Sequence, residues 1–413
     1  MDLFALMAAL LTVTAVFSWV NHQTLKLPTT IGVMLIALVS SLALILLHTL
    51  GLDVETRASE IIESIDFDRT VLGGMLAFLL FAGALHVDLG SLAEQKGMIA
   101  LLATCGVVLS TAIVGVLTFF TAGMLGLDLP WIYCFLFGAL ISPTDPIAVL
   151  ALLKKARVPK SLEIKIVGES LFNDGVGVVV FLVLLHGVGD GDGLSFTRGG
   201  LLFVQEAIGG SLYGLVVGWI AFQMLRRVDD RHVEVLVTLA LVTGSYALAA
   251  TLHLSGPIAI VVAGLYIGTH GRRYAMSDTT RMHLDSFWEL LDNILNAVLF
   301  VLIGLEVLVI SFASGGLGLG VIAIGIVLLS RFLSVGGVVS VLHRFRKFSP
   351  GVVSILTWGG LRGGISVALA LGLPRGPERE IVLVATYAVV IFSIVVQGLT
   401  VGKLASRVSK SGT

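Results

Sequence analysis

The sequence predicts an all-α polytopic membrane protein of about thirteen transmembrane helices, and three observations predict it. Hydrophobic residues make up 56% of the 413 and the mean hydropathy is +1.02. Only 13% are charged, where a soluble domain carries about a quarter. Apolar runs of roughly twenty residues also recur from end to end, the length that crosses a bilayer as a helix. The 48 glycines fit helices that approach closely in lipid.

Taken in order, the expected spans are 2–20, 29–50, 70–90, 97–122, 130–153, 161–186, 199–226, 232–252, 256–270, 284–312, 315–342, 350–373 and 380–405. The first, within MDLFALMAALLTVTAVFSWV, lacks a basic start and is long. It reads as a retained helix rather than a signal peptide. After the second comes GLDVETRASEIIESIDFDRT at 51–70, with apolar residues at helical spacing. That pattern predicts a short amphipathic helix on the outer surface, from about 51 to 69.

The basic residues sort the connections. One alternate set, with the C-terminal tail, holds nineteen Lys and Arg, including KKARVPK at 154–160 and HRFRK at 343–347. The other set holds five: Arg57, Arg69, Arg198, Arg375 and Arg379. Positive charge collects on the cytoplasmic side, so the N-terminus is expected outside and the C-terminus inside a cell (inner) membrane. The net charge of −1 gives no ground for a nucleic-acid partner. Cys105 and Cys134 fall inside apolar spans without metal spacing and read as buried thiols.

Charges inside spans are the informative ones, since each costs about 2.5–3.5 kcal/mol at a helix centre on insertion scales. They are Asp145, Glu169, Asp174, Arg331 and Arg362, with Glu289, Asp292 and Glu306 in or near the tenth span. In LISPTDPIAVL, Pro143 and Pro146 bracket Thr144 and Asp145, which removes backbone donors and pushes the chain out of helical geometry. In WGGLRGGIS at 358–366, four glycines surround Arg362 and weaken the twelfth span. The two breaks lie seven spans apart and so cross in opposite directions. That layout predicts inverted repeats at about 29–186 and 256–405 within a single transmembrane domain, 1–413. Paired broken helices point to a binding site near the bilayer midplane.

GESLFNDGVGVVVF at 168–181 carries the other acids. Ser170 and Asp174 are i and i+4 and share a face, as do Glu169 and Asn173. Glu169 and Asp174, five residues apart, cannot both point into one small site. One acid is expected on the ion path and the other in a structural contact. The two buried arginines are available to neutralise carboxylates.

SPTDPIAVL, GESLFNDGVGVV, SRFLSV at 330–335 and WGGLRGGIS together resemble the sodium/proton exchanger branch of the monovalent cation:proton antiporters, in its short bacterial form. The resemblance covers essentially the whole chain. It implies a secondary antiporter in the cell membrane exchanging Na+, or Li+, for H+, serving sodium transport and pH homeostasis, without a cofactor. It further implies that Asp174 binds both ion and proton, and that Asp145, Thr144 through its backbone and Ser170 complete a Na+ site. Asn173 resembles the electroneutral, one-for-one type. Glu169 resembles a structural glutamate paired with a later arginine, Arg331 first and Arg362 second, so the resemblance puts Ser170 and Asp174 toward the ion and Glu169 and Asn173 toward the scaffold. A homodimer, with a six-helix core moving against a scaffold, also follows from the resemblance.

One departure bears on selectivity. Many relatives carry a glutamate after the phenylalanine of the third span, where Ala82 follows Phe81 here. A K+/H+ antiporter on the same scaffold is therefore an alternative. A cation channel, or an intramembrane aspartyl protease using Asp145 and Asp174, are readings from other classes. The protease motif GxGD is missing, and the proline break is unexplained by that chemistry. His86, His186 and His253 lie near span ends as loop or interface residues, with pH sensing as a second reading.

Overall fold

The computed structural model describes residues 3–50, 71–87, 89–145, 149, 160–189, 196–308, 316–343 and 351–411, and every regular element among them is helical. The helices are α1 (Leu3–Gln23), α2 (Thr29–Thr49), α3 (Leu76–Leu85), α4 (Leu89–Leu101), α5 (Val107–Met124) and α6 (Trp131–Ile141). Then follow α7 (Lys160–Gly189), α8 (Phe196–Leu225), α9 (Arg231–Thr251), α10 (Gly256–Tyr266), α11 (Arg272–Tyr274) and α12 (Asp278–Glu306). The last are α13 (Gly316–His343), α14 (Val352–Trp358), α15 (Gly364–Leu371), α16 (Pro377–Phe392) and α17 (Gly398–Ser411). Single π-helical turns lead into α3, join α4 to α5, follow α10 and join α16 to α17.

Among the described residues nine helices are long and apolar enough to span a membrane, and Val71–Leu85 and Trp131–Ile141 are shorter apolar helices. The protein is thus an all-α, multi-pass membrane protein, and thirteen remains a count made from the sequence. The amphipathic segment expected at 51–69 lies outside the described residues.

Local chemistry sets several helix starts. Pro28 and Pro130, both extended, stand directly before α2 and α6, where a missing N–H is no loss. Ser255 caps α10 through Ile258 N–H, and Ser277 caps α12 through Thr280 N–H, each meeting a donor the helix itself leaves free.

Two apolar cores organise the bundle. One gathers residues of α2, α5, α6, α13 and α16, with Phe300 and Leu302 of α12. The other gathers α3, α9 and α10 around Trp288 of α12. The long helices α7 and α12 feed both: α7 gives Phe181 to the first and Leu171 to the second. The candidate site lies where they pass between the cores.

Two helices break there. α6 ends at Ile141, and Ser142 to Asp145 run non-helically across the Pro143 position. α14 ends at Trp358 and α15 begins at Gly364, leaving the glycine-rich stretch 359–363 unwound. The breaks touch: the Asp145 N–H donates to the Leu361 carbonyl at 2.8 Å, an isolated antiparallel bridge among described residues whose regular elements are all helical. Glycine permits the approach from α7 as well, since a Cβ on Gly177 would stand 2.3 Å from Pro143 Cγ.

Candidate functional site

The broken end of α6 leaves carbonyls that no helical N–H can meet. Arg362, itself in the facing break and 2% exposed, meets them: Nη1 donates to the carbonyls of Ser142 and Pro143, the latter at 2.8 Å. A guanidinium at a helix C-terminus also opposes the negative end of the helix dipole. Its own backbone N–H donates to Ser393 Oγ at 2.9 Å, and Gln397 Nε2 donates to the Trp358 carbonyl at 3.0 Å. The π turn Ser393–Gln397 thus braces the unwound stretch.

Stepping round α7 separates its polar residues by direction. Val167, Leu171 and Asp174, at helical spacing, face a cavity of about 430 Å³. Ser170 and Asn173 turn instead to Thr144 in the α6 break. Asn173 Oδ1 accepts the Thr144 N–H at 3.2 Å, its Nδ2 donates to Thr144 Oγ1 at 2.8 Å, and Ser170 Oγ lies 2.9 Å from that hydroxyl. Glu169 turns further, to an ion pair with Arg331 of α13, both residues buried. Arg331 Nε adds a contact to the Leu356 carbonyl at 3.4 Å.

The cavity brings together Asp174, Asp145 and Thr144, three of the four residues expected as cation ligands. Ser170, the fourth, is buried behind Thr144 and does not line it. Asn173, expected toward the scaffold with Glu169, holds the break in place. Of the two arginines, Arg331 is the one bonded to Glu169, while Arg362 serves the α6 carbonyls. Gly363 lies so close to Asp145 that a Cβ there would stand 2.5 Å from its Oδ2.

The opposite wall comes from α12, with Glu289, Asp292 and Asn296, and from Ser366 of α15. Ala82 of α3 is buried in the wall and brings no side-chain oxygen. His86, at the end of α3, and Glu289 are exposed and mark the cavity mouth. Asp292 and Glu289 were visible in the sequence as span charges, whereas Asn296, Ser366 and Glu163 were not singled out; an amide or hydroxyl in an apolar helix gives no sign of what it will face.

The chemistry is that of carboxylate and hydroxyl oxygens around a space open to one end of the bundle. Hard monovalent cations take such ligands, and a carboxylate in this setting can exchange a cation for a proton.

Residues 9–407 match the transmembrane sodium/hydrogen exchanger family. The Na+/H+ antiporter NhaP of Pseudomonas aeruginosa is 52% identical over 98% of this chain and 96% of its own length. The Na+/H+ antiporter NhaH of Halobacillus aidingensis is 37% identical over 91% of each. In fold, the chain is similar to the sodium proton antiporter MjNhaP1 of Methanocaldococcus jannaschii, with a TM-score of 0.75 at 21% identity, covering 98% of this chain and 99% of that one. The chain belongs to the sodium/hydrogen exchanger family of transmembrane proteins.

Proposed function

We propose that the protein is a secondary antiporter exchanging Na+, or Li+, for H+ at one shared site, one ion for one proton. The observation that carries this reading is the placement of Asp174 and Asp145 in a single cavity beside the crossing breaks. Either a cation or a proton neutralises Asp174, so the two compete. A neutralised site crosses the bilayer interior far more readily than a charged one, and that difference couples the two fluxes. Asn173 is a neutral amide already bonded to Thr144, which leaves Asp174 as the titrating group of its segment and supports the one-for-one ratio. Thr144 and Ser170 belong to the Na+ site in this reading, Ser170 through the Thr144 hydroxyl it fixes.

The inverted repeats, the N-terminus outside and C-terminus in the cytoplasm, and a homodimer belong to the same proposal. K+/H+ antiport is the second reading, favoured by Ala82, which leaves that part of the wall without a side-chain oxygen.

The test is exchange in proteoliposomes with Na+, Li+ and K+ across pH, with the membrane potential clamped or free. Wild type is expected to exchange Na+ at a rate indifferent to potential, and Asp174→Asn to be folded but inactive. Cation-driven proton flux in Asp174→Asn overturns the site, and a rate that follows the potential overturns the ratio. A K+ rate above the Na+ rate selects the second reading.

A further inference from the structure

The cavity wall opposite Asp174 holds a second set of oxygen ligands that the shared site does not use. Asp292 and Asn296 stand four residues apart on α12 and so share a face, and both line the cavity. The Asn296 carboxamide is 2% exposed. Its Nδ2 donates to the Asp292 carbonyl at 2.8 Å and to Asp292 Oδ1 at 3.0 Å. Those bonds fix the amide with Oδ1 as the remaining polar atom, and no hydrogen bond reaches it. Leaving a buried acceptor open costs about 1–3 kcal/mol, and such an atom calls for an explanation in an ion or a water. Here it sits beside a carboxylate on the wall of a cavity. A carbonyl oxygen next to a carboxylate is a ligand set for a hard monovalent cation.

The same face of α12 leads outward. Glu289, three residues before Asp292, lines this cavity and also a cleft of about 270 Å³ that includes Asp278, Arg281 and Asp285. Asp285 is neutralised by its ion pair with Arg272, and Arg281 brings positive charge to that cleft. The negative character therefore rises inward, from the cleft through Glu289 to Asp292.

We propose that Asp292 and Asn296 form a second cation station, an oxygen pair on the α12 wall where a monovalent cation rests between the mouth at Glu289 and the Asp174–Asp145 pair. The proposal rests on the antiport reading. The station raises the occupancy of the cavity by cations and takes no part in the competition with protons at Asp174.

The experiment is Na+-dependent exchange in proteoliposomes for wild type, Asn296→Ala, Asn296→Asp, Asp292→Asn and Asp174→Asn. Asn296→Ala and Asp292→Asn are each expected to raise the apparent KM for Na+ roughly fivefold or more with maximal rate within about twofold, the mark of lost ground-state binding. Asn296→Asp keeps an oxygen at that position and is expected to hold KM at or below the wild-type value. A purely structural role for the pair would instead lower melting temperature and maximal rate together and leave KM in place, and that result overturns the proposal. If Asn296→Ala fails to fold, the nearly isosteric Asp292→Asn decides alone. Should Asp174→Asn abolish exchange while the α12 variants keep the wild-type KM, only the second station is lost. Should Asp174→Asn exchange normally, the antiport site itself is misplaced.

Discussion

Replacing Glu169 by Gln keeps the shape of the side chain and removes its charge, leaving the Arg331 guanidinium without its carboxylate. The two residues are 1% and 6% exposed, and water has little room to compensate. Gly360 packs against the guanidinium so closely that a Cβ there would stand 2.7 Å from Arg331 Nε. What remains is neutral: the Gln amide oxygen and the Leu356 carbonyl, the latter reached by Nε at 3.4 Å. Breaking a buried ion pair by removing one partner destabilises by about 3–5 kcal/mol. The insertion cost of an unpaired arginine at a helix centre, about 2.5–3.5 kcal/mol, is of the same size, so the two routes agree. Thermal unfolding in detergent should therefore show Glu169→Gln and Arg331→Met melting well below wild type. The double variant Glu169→Gln/Arg331→Met removes both charges, and it should recover most of the loss, giving a large coupling energy in the double-mutant cycle. Single variants that melt with wild type, or a double variant whose loss is the sum of the two, would refute the pairing.

Two further outcomes follow from local geometry. Gly363→Ala places a Cβ 2.5 Å from Asp145 Oδ2 and 2.8 Å from its Cβ, so the carboxylate must swing away. Exchange in proteoliposomes should fall on the order of a hundredfold, as misplacement by an ångström does, and an active variant would show that Asp145 needs no fixed position. Asp230, in the connection before α9, caps that helix by accepting from His232 N at 2.9 Å and Val233 N at 3.1 Å. These bonds, that of Val233 first, hold its carboxyl below the usual range. The folded value is depressed, so the cap's stabilisation is full above the unfolded value of about 3.9 and fades as pH falls through the folded one. Hydrogen exchange at His232 and Val233 should lose protection in acid in wild type, keep it in Asp230→Asn, and lack it at all pH in Asp230→Ala; equal protection in all three would remove the cap.

Much of the fold was legible because membranes punish exceptions. Proline at 143 and glycines around Arg362 deny the helix its donors and its rigidity, so both breaks could be read without coordinates. The five-residue spacing of Glu169 and Asp174 separated their roles by geometry alone. What the two arginines would touch was not legible at that level, because a guanidinium can serve a carboxylate or a row of open carbonyls equally well. Ser170 shares the side of α7 that carries Asp174, yet it is turned to Thr144, a residue that only tertiary packing brings near. Asn173 was placed with Glu169 by the same periodicity and also went to Thr144. Asn296 gave no sign at all, since its significance lies in the atom its neighbour leaves open.

The backbone bond between Asp145 and Leu361 makes one mechanical part of two interruptions. Together with the Arg362 grip on the Ser142 and Pro143 carbonyls, it yokes the α6 break to the stretch between α14 and α15. A movement that alternates access, as the proposed antiport requires, cannot pry these breaks apart without severing that yoke. In the proposed antiport the two breaks are expected to travel as a single cartridge, past the α12 and α3 residues that line the cavity. Because the joining bond is main chain on both sides, only proline at 145, which has no N–H to donate, deletes it directly. Loosening the cartridge takes a change in the residues that hold its shape.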